Sequence, residues 1–208
     1  MWQNQFYMSD LNNFENQDQQ DRFFHILKNG MRTFLSIGLI IFGAMWLTGI
    51  TENTNHHFAC NAENVVKYNR ENYFLQDRNY FNGGDFQSQK FVLEGKNSLQ
   101  LTAENPFGFG FNYEFLKGNE EFVVWVWRYA EGDWKTNGKI VAAAGGKFWK
   151  ATEEVVETKE NGWEKIQFNF KIPNFLQNEL LNIYCWNPDR RPIYFDDFHI
   201  VIQELEDL

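Results

Sequence analysis

From Asn82 to the end of the chain, short stretches of alternating or wholly apolar residues recur at regular intervals. They cover residues 91–93, 98–102, 110–115, 121–129, 140–144, 154–158, 163–172, 180–186 and 193–202. Glycine, asparagine, aspartate or proline lies between most of them, which is typical of turns. Because the stretches show no helical period, the pattern predicts an antiparallel β-sandwich of eight or nine strands.

A second feature is an uncharged apolar stretch at residues 33–50. As a helix with a rise of about 1.5 Å per residue it would be about 27 Å long, close to the hydrocarbon thickness of a bilayer. Lys28 and Arg32 precede it, and the next basic residue is Lys67. The positive-inside rule therefore predicts a single-pass protein of the cytoplasmic (inner) membrane, with its N-terminus inside and its C-terminal domain periplasmic or extracellular.

A secretory signal peptide is the alternative for the same stretch. Met31 and Arg32 followed by an apolar run resemble a translation start, a short basic region and the apolar region of a signal peptide. Against this, the run is long for a signal peptide and no small-residue cleavage site follows it. The sequence leaves open which methionine is the true start.

The domain organisation follows from these features. We predict a polar cytoplasmic tail at 1–32, the span or signal peptide at 33–50, a polar linker at 51–64 and the β-sandwich at 65–208. His56, His57 and Cys60 in the linker suggest a metal site, but this group lacks a fourth ligand and any known zinc spacing. Residues 65–81 have mixed periodicity and indicate either a short helix or a first strand.

The composition limits the kinds of partner that the chain can bind and the number of disulfide bonds that it can form. Aromatic residues make up 18% of the chain, which favours β structure with large buried or stacking rings. The net charge of −9 makes nucleic acid a poor partner. The two cysteines, Cys60 and Cys185, could form one bridge in an oxidising compartment, or both could be unpaired.

Six segments occur in a familiar order between residues 82 and 203: NGGDF, LEGKNSLQLT, VVWVWR, NGWEKIQFNFKIP, LLNIYCWN and YFDDFHI. This order resembles the jelly-roll carbohydrate-binding modules of the galactose-binding-like fold, found beside bacterial polysaccharide-degrading enzymes. The resemblance implies an all-β fold, an antiparallel β-sandwich, which here would follow the one N-terminal transmembrane helix predicted at 33–50. It also implies carbohydrate binding, although the same fold serves as a protein-binding or structural module.

The resemblance further implies a structural calcium ion. Its ligands would be Asp85, after the Gly83–Gly84 turn, and Asp196 in the last stretch, with backbone carbonyls completing the shell. Strand alternation would place Phe195 and Asp197 on one face and Asp196 on the other. As an alternative, Asp196 accepts hydrogen bonds from backbone N–H groups or pairs with a nearby arginine (Arg190 or Arg191).

Sugar binding requires aromatic plates for the apolar face of a pyranose and planar polar groups for its hydroxyls. Trp134 lies in a polar loop and Trp149 lies between two lysines, so we expect both to be exposed. We read Trp163, which opens an alternating strand, as a packing residue. The candidate ligand-binding residues are Trp134, Trp149, Arg128, Tyr129, Trp186 and Asn187.

We expect no enzymatic activity, because the sequence has no nucleophile, zinc or P-loop motif and its histidines are scattered. Adjacent acidic residues such as Asp196 and Asp197 would point to opposite faces of a strand and could not act as a glycosidase pair. The predicted function is a membrane-anchored extracytoplasmic module that binds carbohydrate. The alternative is an accessory or structural subunit of a membrane complex, which uses its sandwich for protein contacts and gives the cytoplasmic tail a role.

Overall fold

The computed structural model describes residues 55–114, 116–132 and 134–203. The predicted cytoplasmic tail (1–32) and the predicted span or signal peptide (33–50) lie outside the described residues. Within the described ranges the helical segments are two 3-10 helices, Gly84–Phe86 and Asn174–Leu176, and no helix there is long and apolar enough to cross a membrane.

The described strands form two antiparallel sheets of seven strands each. The first sheet contains β1 (His56–Cys60), β5 (Gln87–Ser88), β6 (Ser98–Leu101), β8 (Glu121–Ala130), β11 (Val155–Thr158), β12 (Glu164–Lys171) and β14 (Ile193–Gln203). Its spatial order is β11-β12-β8-β14-β6-β5, and β1 also pairs with β14. The second sheet contains β2 (Val65–Tyr68), β3 (Glu71–Gln76), β4 (Asn79–Asn82), β7 (Phe107–Tyr113), β9 (Lys139–Ala144), β10 (Phe148–Thr152) and β13 (Leu181–Trp186), in the order β10-β9-β13-β7-β4-β3-β2.

Phenylalanine rings from both sheets fill the core between them. Phe109 of the second sheet stacks on Phe198 of the first, with ring centroids 5.6 Å apart and an interplanar angle of 1°. Phe122 and Phe170 stack in the same way within the first sheet, at 5.1 Å. Each fully buried side chain of this size contributes about 1.5–3 kcal/mol to folding. Two antiparallel sheets that share one core confirm the predicted antiparallel β-sandwich.

The strand predictions are confirmed for all the stretches from residue 98 onward, with small differences at the ends. The stretch 91–93 is not a strand but part of the loop between β5 and β6. The predicted polar linker is wrong at His56–Cys60, which forms β1 and pairs with β14. Residues 65–81 form β2, β3 and most of β4, and the alternative of a short helix is wrong.

A β-bulge in β14 overturns the predicted alternation around Asp196. The register with β8 shifts between Asp196 and His199, and Asp197 has a φ of 52°. The extra residue changes the phase of the strand, so Phe195 and Phe198 both face the core. Because Phe195 faces the core, Asp196 beside it faces outward, beneath the loop between β5 and β6.

Cys60 and Cys185 are both buried and unpaired, as in the second of the two expected arrangements. Each lies in a strand whose apolar side faces the core, Cys60 at the end of β1 and Cys185 in β13. Burial raises the pKa of Cys60 to about 12, and it raises the pKa of Cys185 well above its ordinary value. Both thiols are therefore protonated and shielded at neutral pH.

We expect neither cysteine to react with a colorimetric disulfide reagent at pH 8 while the protein is folded, because only the exposed thiolate is nucleophilic. In denaturant, two thiols per chain should react. Fast labelling of the folded protein, or fewer than two thiols after unfolding without reductant, would contradict this prediction.

Candidate functional site

The outer face of the second sheet, here called the groove face, carries a group of aromatic rings and amides on β7 and β13. In β13 the odd-numbered residues Leu181, Ile183 and Cys185 are buried, which places Asn182, Tyr184 and Trp186 on the outer side. Phe107 begins β7 opposite Trp186, and it is 54% exposed. Its phenyl ring is apolar surface that a ligand could remove from water.

These residues surround a groove of about 280 Å³, lined by Asn82, Phe107, Gly108, Gly110, Asn182 and Tyr184. The rings of Phe107 and Tyr184 meet edge to face at 5.7 Å, and the ring of Trp186 stacks beside Phe107 at 6.4 Å. Gly110 keeps the floor open, because a Cβ atom there would lie 3.2 Å from the Cβ of Asn82. The groove thus combines aromatic rings with amide groups that can donate and accept hydrogen bonds.

Two of the predicted residues, Trp149 and Trp186, lie on the groove face. Trp149 in β10 is 59% exposed, as expected, and it pairs with Ala143, which pairs in turn with Asn182. Beside it lies a second cavity of about 550 Å³, also lined by Glu179 and Leu180. Trp186 is partly buried, with the Lys139 ammonium 5.8 Å from its ring centroid.

Arg128, Tyr129 and Trp134 come together at a different cleft, of about 450 Å³, which is also lined by residues 160–162. Arg128 is only 1% exposed, and its guanidinium is taken up by the Glu164 carboxylate (Nη2 to Oε2, 2.8 Å) and by the carbonyl of Gly138. It has little capacity left for a ligand. Tyr129 is partly buried, with its ring 5.5 Å from that of the buried Trp163.

Trp134 is not freely exposed as expected, because its indole partly covers the core. Its Nε1 donates to the carbonyl of Glu131 at 2.9 Å, and the Arg191 guanidinium lies 5.4 Å from the ring centroid. The polarity of the surrounding loop suggested an exposed ring, whereas in the structure the loop folds back on the sandwich.

Asn187, a predicted ligand contact, is hydrogen-bonded to the protein backbone instead. It is 2% exposed, and its Nδ2 donates to the carbonyls of Leu101 (3.0 Å) and Arg191 (2.9 Å). Its Oδ1 accepts from the backbone N–H of Asp189 at 2.9 Å. Because these bonds occupy both ends of the amide, Asn187 holds the loop after β13 and has little left to offer a sugar.

The geometry around Asp196 favours backbone hydrogen bonding over a calcium ion. Its Oδ2 accepts from the N–H groups of Leu93 (3.0 Å) and Glu94 (3.3 Å), and its Oδ1 accepts from Asp197 (2.8 Å). These three donors occupy most of the roughly four acceptor positions of the carboxylate. Asp85 is exposed and accepts from Asn72. Among the residues that the structure describes, no group of three or more His, Cys, Asp and Glu side chains could hold a metal ion.

Sequence reasoning missed Asn82, Phe107, Asn182 and Tyr184 as possible ligand contacts. The signal for Asn182 and Tyr184 was present, because they alternate with buried residues in the same stretch as Trp186. Phe107 gave no such signal, since a phenylalanine in a β stretch normally indicates core. The prediction that the histidines are scattered is wrong for His57 and His199, whose rings are in contact.

Comparisons with known proteins give only distant matches. No protein-family model matches the sequence, and no curated protein matches it. A cyclase from Fischerella sp. TAU is 14% identical, with 73% of this chain and 86% of that chain covered and a TM-score of 0.43. A C-terminal family 22 carbohydrate binding module of Clostridium thermocellum is 13% identical (72% and 95% covered, TM-score 0.43). The CBM22-1-CBM22-2 tandem domain of Paenibacillus barcinonensis is 13% identical (76% and 49% covered, TM-score 0.48). Likenesses at this distance carry no argument about ligand or activity.

Asp196 should make the stability of the protein depend on pH. Burial raises the pKa of this carboxyl from 3.8 to about 7, although three backbone N–H bonds oppose the shift. A raised carboxyl pKa favours folding fully below about pH 4, and this contribution is lost as the pH rises through 7. Between about pH 4 and 7 we expect the free energy of unfolding to fall by up to about 1.4 kcal/mol per pH unit from this group.

The measurement is denaturant unfolding at several pH values for the wild type and Asp196→Asn. Because the variant keeps every other titrating group, the difference between the two slopes isolates Asp196. Equal slopes between about pH 4 and 7 would contradict the assignment.

Calcium binding stays a prediction, and thermal unfolding tests it. If Asp85 and Asp196 share an ion, calcium should raise the melting temperature of the full-length protein above that in chelator. If the backbone donors alone satisfy Asp196, the two melting temperatures should agree.

Proposed function

We propose that the β-sandwich is a non-catalytic carbohydrate-binding module of the jelly-roll, galactose-binding-like type, and that the groove face is where it binds a glycan. The proposal includes anchoring through residues 33–50 and an extracytoplasmic location for the sandwich. One observation carries the binding proposal: the groove places exposed Phe107 beside the amides of Asn82 and Asn182.

This combination matches the chemistry of a sugar ring. One face of a pyranose presents C–H groups, which pack on an aromatic plate, and its edge presents hydroxyls, which both donate and accept hydrogen bonds. Asparagine amides offer both roles in one plane. Asn182 is already oriented, because its Nδ2 donates to the Oδ1 of Asn112 at 3.0 Å. The sequence resemblance to jelly-roll modules points in the same direction.

The lining of the groove also supports binding without catalysis. Its six lining residues in the described part of the chain include no carboxylate, histidine or thiol. Hydrolysis of a glycosidic bond normally needs two carboxyl groups placed on either side of that bond. The groove is an open surface, which suits a chain of sugars passing across the sheet.

The test is a glycan array probed with the full-length protein in detergent, followed by titration of the best ligand into Phe107→Ala. Loss of the ring should weaken binding at least about tenfold, which corresponds to about 1.4 kcal/mol. Because Phe107 is half exposed, the melting temperature should change little.

Phe175→Ala is the matched control, since Phe175 is also an exposed phenylalanine (64%) but lies in the 3-10 helix after β12. It should bind the glycan like the wild type. If the two variants had equal effects on glycan binding, the groove would not be the binding site. An array without binding, together with co-purification of a defined set of membrane proteins, would favour the accessory-subunit alternative.

A further inference from the structure

The outer face of the first sheet carries a pair of histidines from distant parts of the chain, here called the histidine pair. His57 lies in β1 and His199 in β14, and these strands pair so that Ala59 is opposite His199. The Nε2 atom of His57 lies 2.9 Å from the Nδ1 atom of His199. Their rings are nearly parallel, at 10°, with centroids 5.1 Å apart.

Asp197 fixes which nitrogen of His199 faces its partner. Its Oδ1 lies 2.7 Å from Nε2 of His199, so that nitrogen carries the proton and donates. Nδ1 therefore presents its lone pair to His57, whose Nε2–H donates to it. A carboxylate behind the far nitrogen of a histidine is the usual arrangement for a metal-binding imidazole.

Trp125 supports the pair from the neighbouring strand. Its ring stacks on His199 at 4.7 Å and 11°, and it lies 6.2 Å from His57. All three rings stand on the solvent side of the sheet, where His57 is exposed and His199 is partly exposed. Stacking restricts the rings and lowers the entropy lost when a ligand binds both of them.

We propose that the histidine pair is a binding site for a divalent transition metal, completed by water and distinct from the groove. The metal would take the place of the proton between the two rings, and His57 would carry that proton on Nδ1 instead, so both imidazoles stay neutral. With metal–nitrogen bonds of about 2.0–2.1 Å, a nitrogen separation of 2.9 Å gives an angle of about 90° at the metal. This angle suits the square-planar coordination of Cu²⁺ or Ni²⁺ better than tetrahedral Zn²⁺.

The charges around the pair set the expected selectivity. Asp197 contributes a carboxylate 2.7 Å from His199. The ammonium of Lys165 lies 5.2 Å from the centroid of Trp125 and opposes a dication. Both protein ligands are nitrogen atoms, whereas hard ions such as Ca²⁺ and Mg²⁺ prefer oxygen ligands, so these ions should not bind. Among the divalent transition metals, Cu²⁺ should bind most tightly.

The experiment titrates Cu²⁺ into the full-length protein, purified without a polyhistidine tag, by calorimetry and tryptophan fluorescence at pH 7.5. We expect binding, with quenching of the Trp125 fluorescence by the adjacent copper. His57→Gln and His199→Gln should each weaken binding at least about tenfold, and Trp125→Phe should keep binding while reducing the quenching.

His56→Gln is the matched control, because this adjacent histidine precedes His57 in the same strand and its side chain points to the other face. It should bind copper like the wild type. Asp197→Asn tests the positioning role without disturbing the bulge, since asparagine also tolerates a φ of 52°. It should weaken binding about tenfold.

A circular dichroism spectrum and a melting temperature for each variant exclude misfolding as the cause of a loss. The proposal is overturned if both His57→Gln and His199→Gln, folded as the wild type, bind Cu²⁺ with unchanged affinity. It is also overturned if His56→Gln causes the same loss as they do, because binding would then not depend on the geometry of the pair. Glycan binding by Phe107→Ala gives a separate readout, so the two proposals can fail independently.

Discussion

The bulge at Asp196 and Asp197 is the constraint on which most of this sandwich depends. Because it adds one residue to β14, Phe195 and Phe198 both reach the core, where Phe198 stacks on Phe109 of the opposite sheet. Asp196, just before the bulge, lies on the opposite side of the strand from Phe195 and accepts hydrogen bonds from the backbone of the loop that covers this face. The bulge also places Asp197 where its carboxylate bonds to His199. One backbone irregularity thus packs β14 against the second sheet and orients the histidine pair.

The sequence predicts the fold where local signals and tertiary environment agree. In β12, Ile166, Phe168 and Phe170 alternate with polar residues, and the strand lies with one face on the core. The early strands lack this agreement. The turns after β2 and β3 have positive φ at Asn69 and Arg70 and at Asp77 and Arg78, respectively, as in two-residue hairpin turns. Such turns usually contain glycine at the second position, and arginine there hides the signal.

The candidate sites were harder to predict because they depend on pairing between distant strands. β1 has the sequence HHFAC, which is polar at its start, and only its pairing with β14 makes it a strand and brings His57 to His199. Exposure of an aromatic ring depends in the same way on what covers it. Trp134 lies in a polar loop yet packs on the core, whereas Phe107 lies in a strand yet faces solvent. Periodicity predicts on which side of a strand a residue lies, but not whether another part of the chain covers that side.

The two outer faces of the sandwich differ in chemistry, and this separation has a physical consequence. The groove itself is lined by uncharged rings, amides and glycines, whereas the other face presents imidazoles, a carboxylate and the lysines over Trp125 and Trp127. Between them lie two sheets about 10 Å apart and a close-packed core of phenylalanine rings. Ligands at the two faces share no contact residue, so their binding free energies should add unless the core itself has two arrangements. The stacked Phe109 and Phe198 belong to the strands that carry the groove and the histidine pair, and any coupling between the faces would have to pass through contacts of this kind.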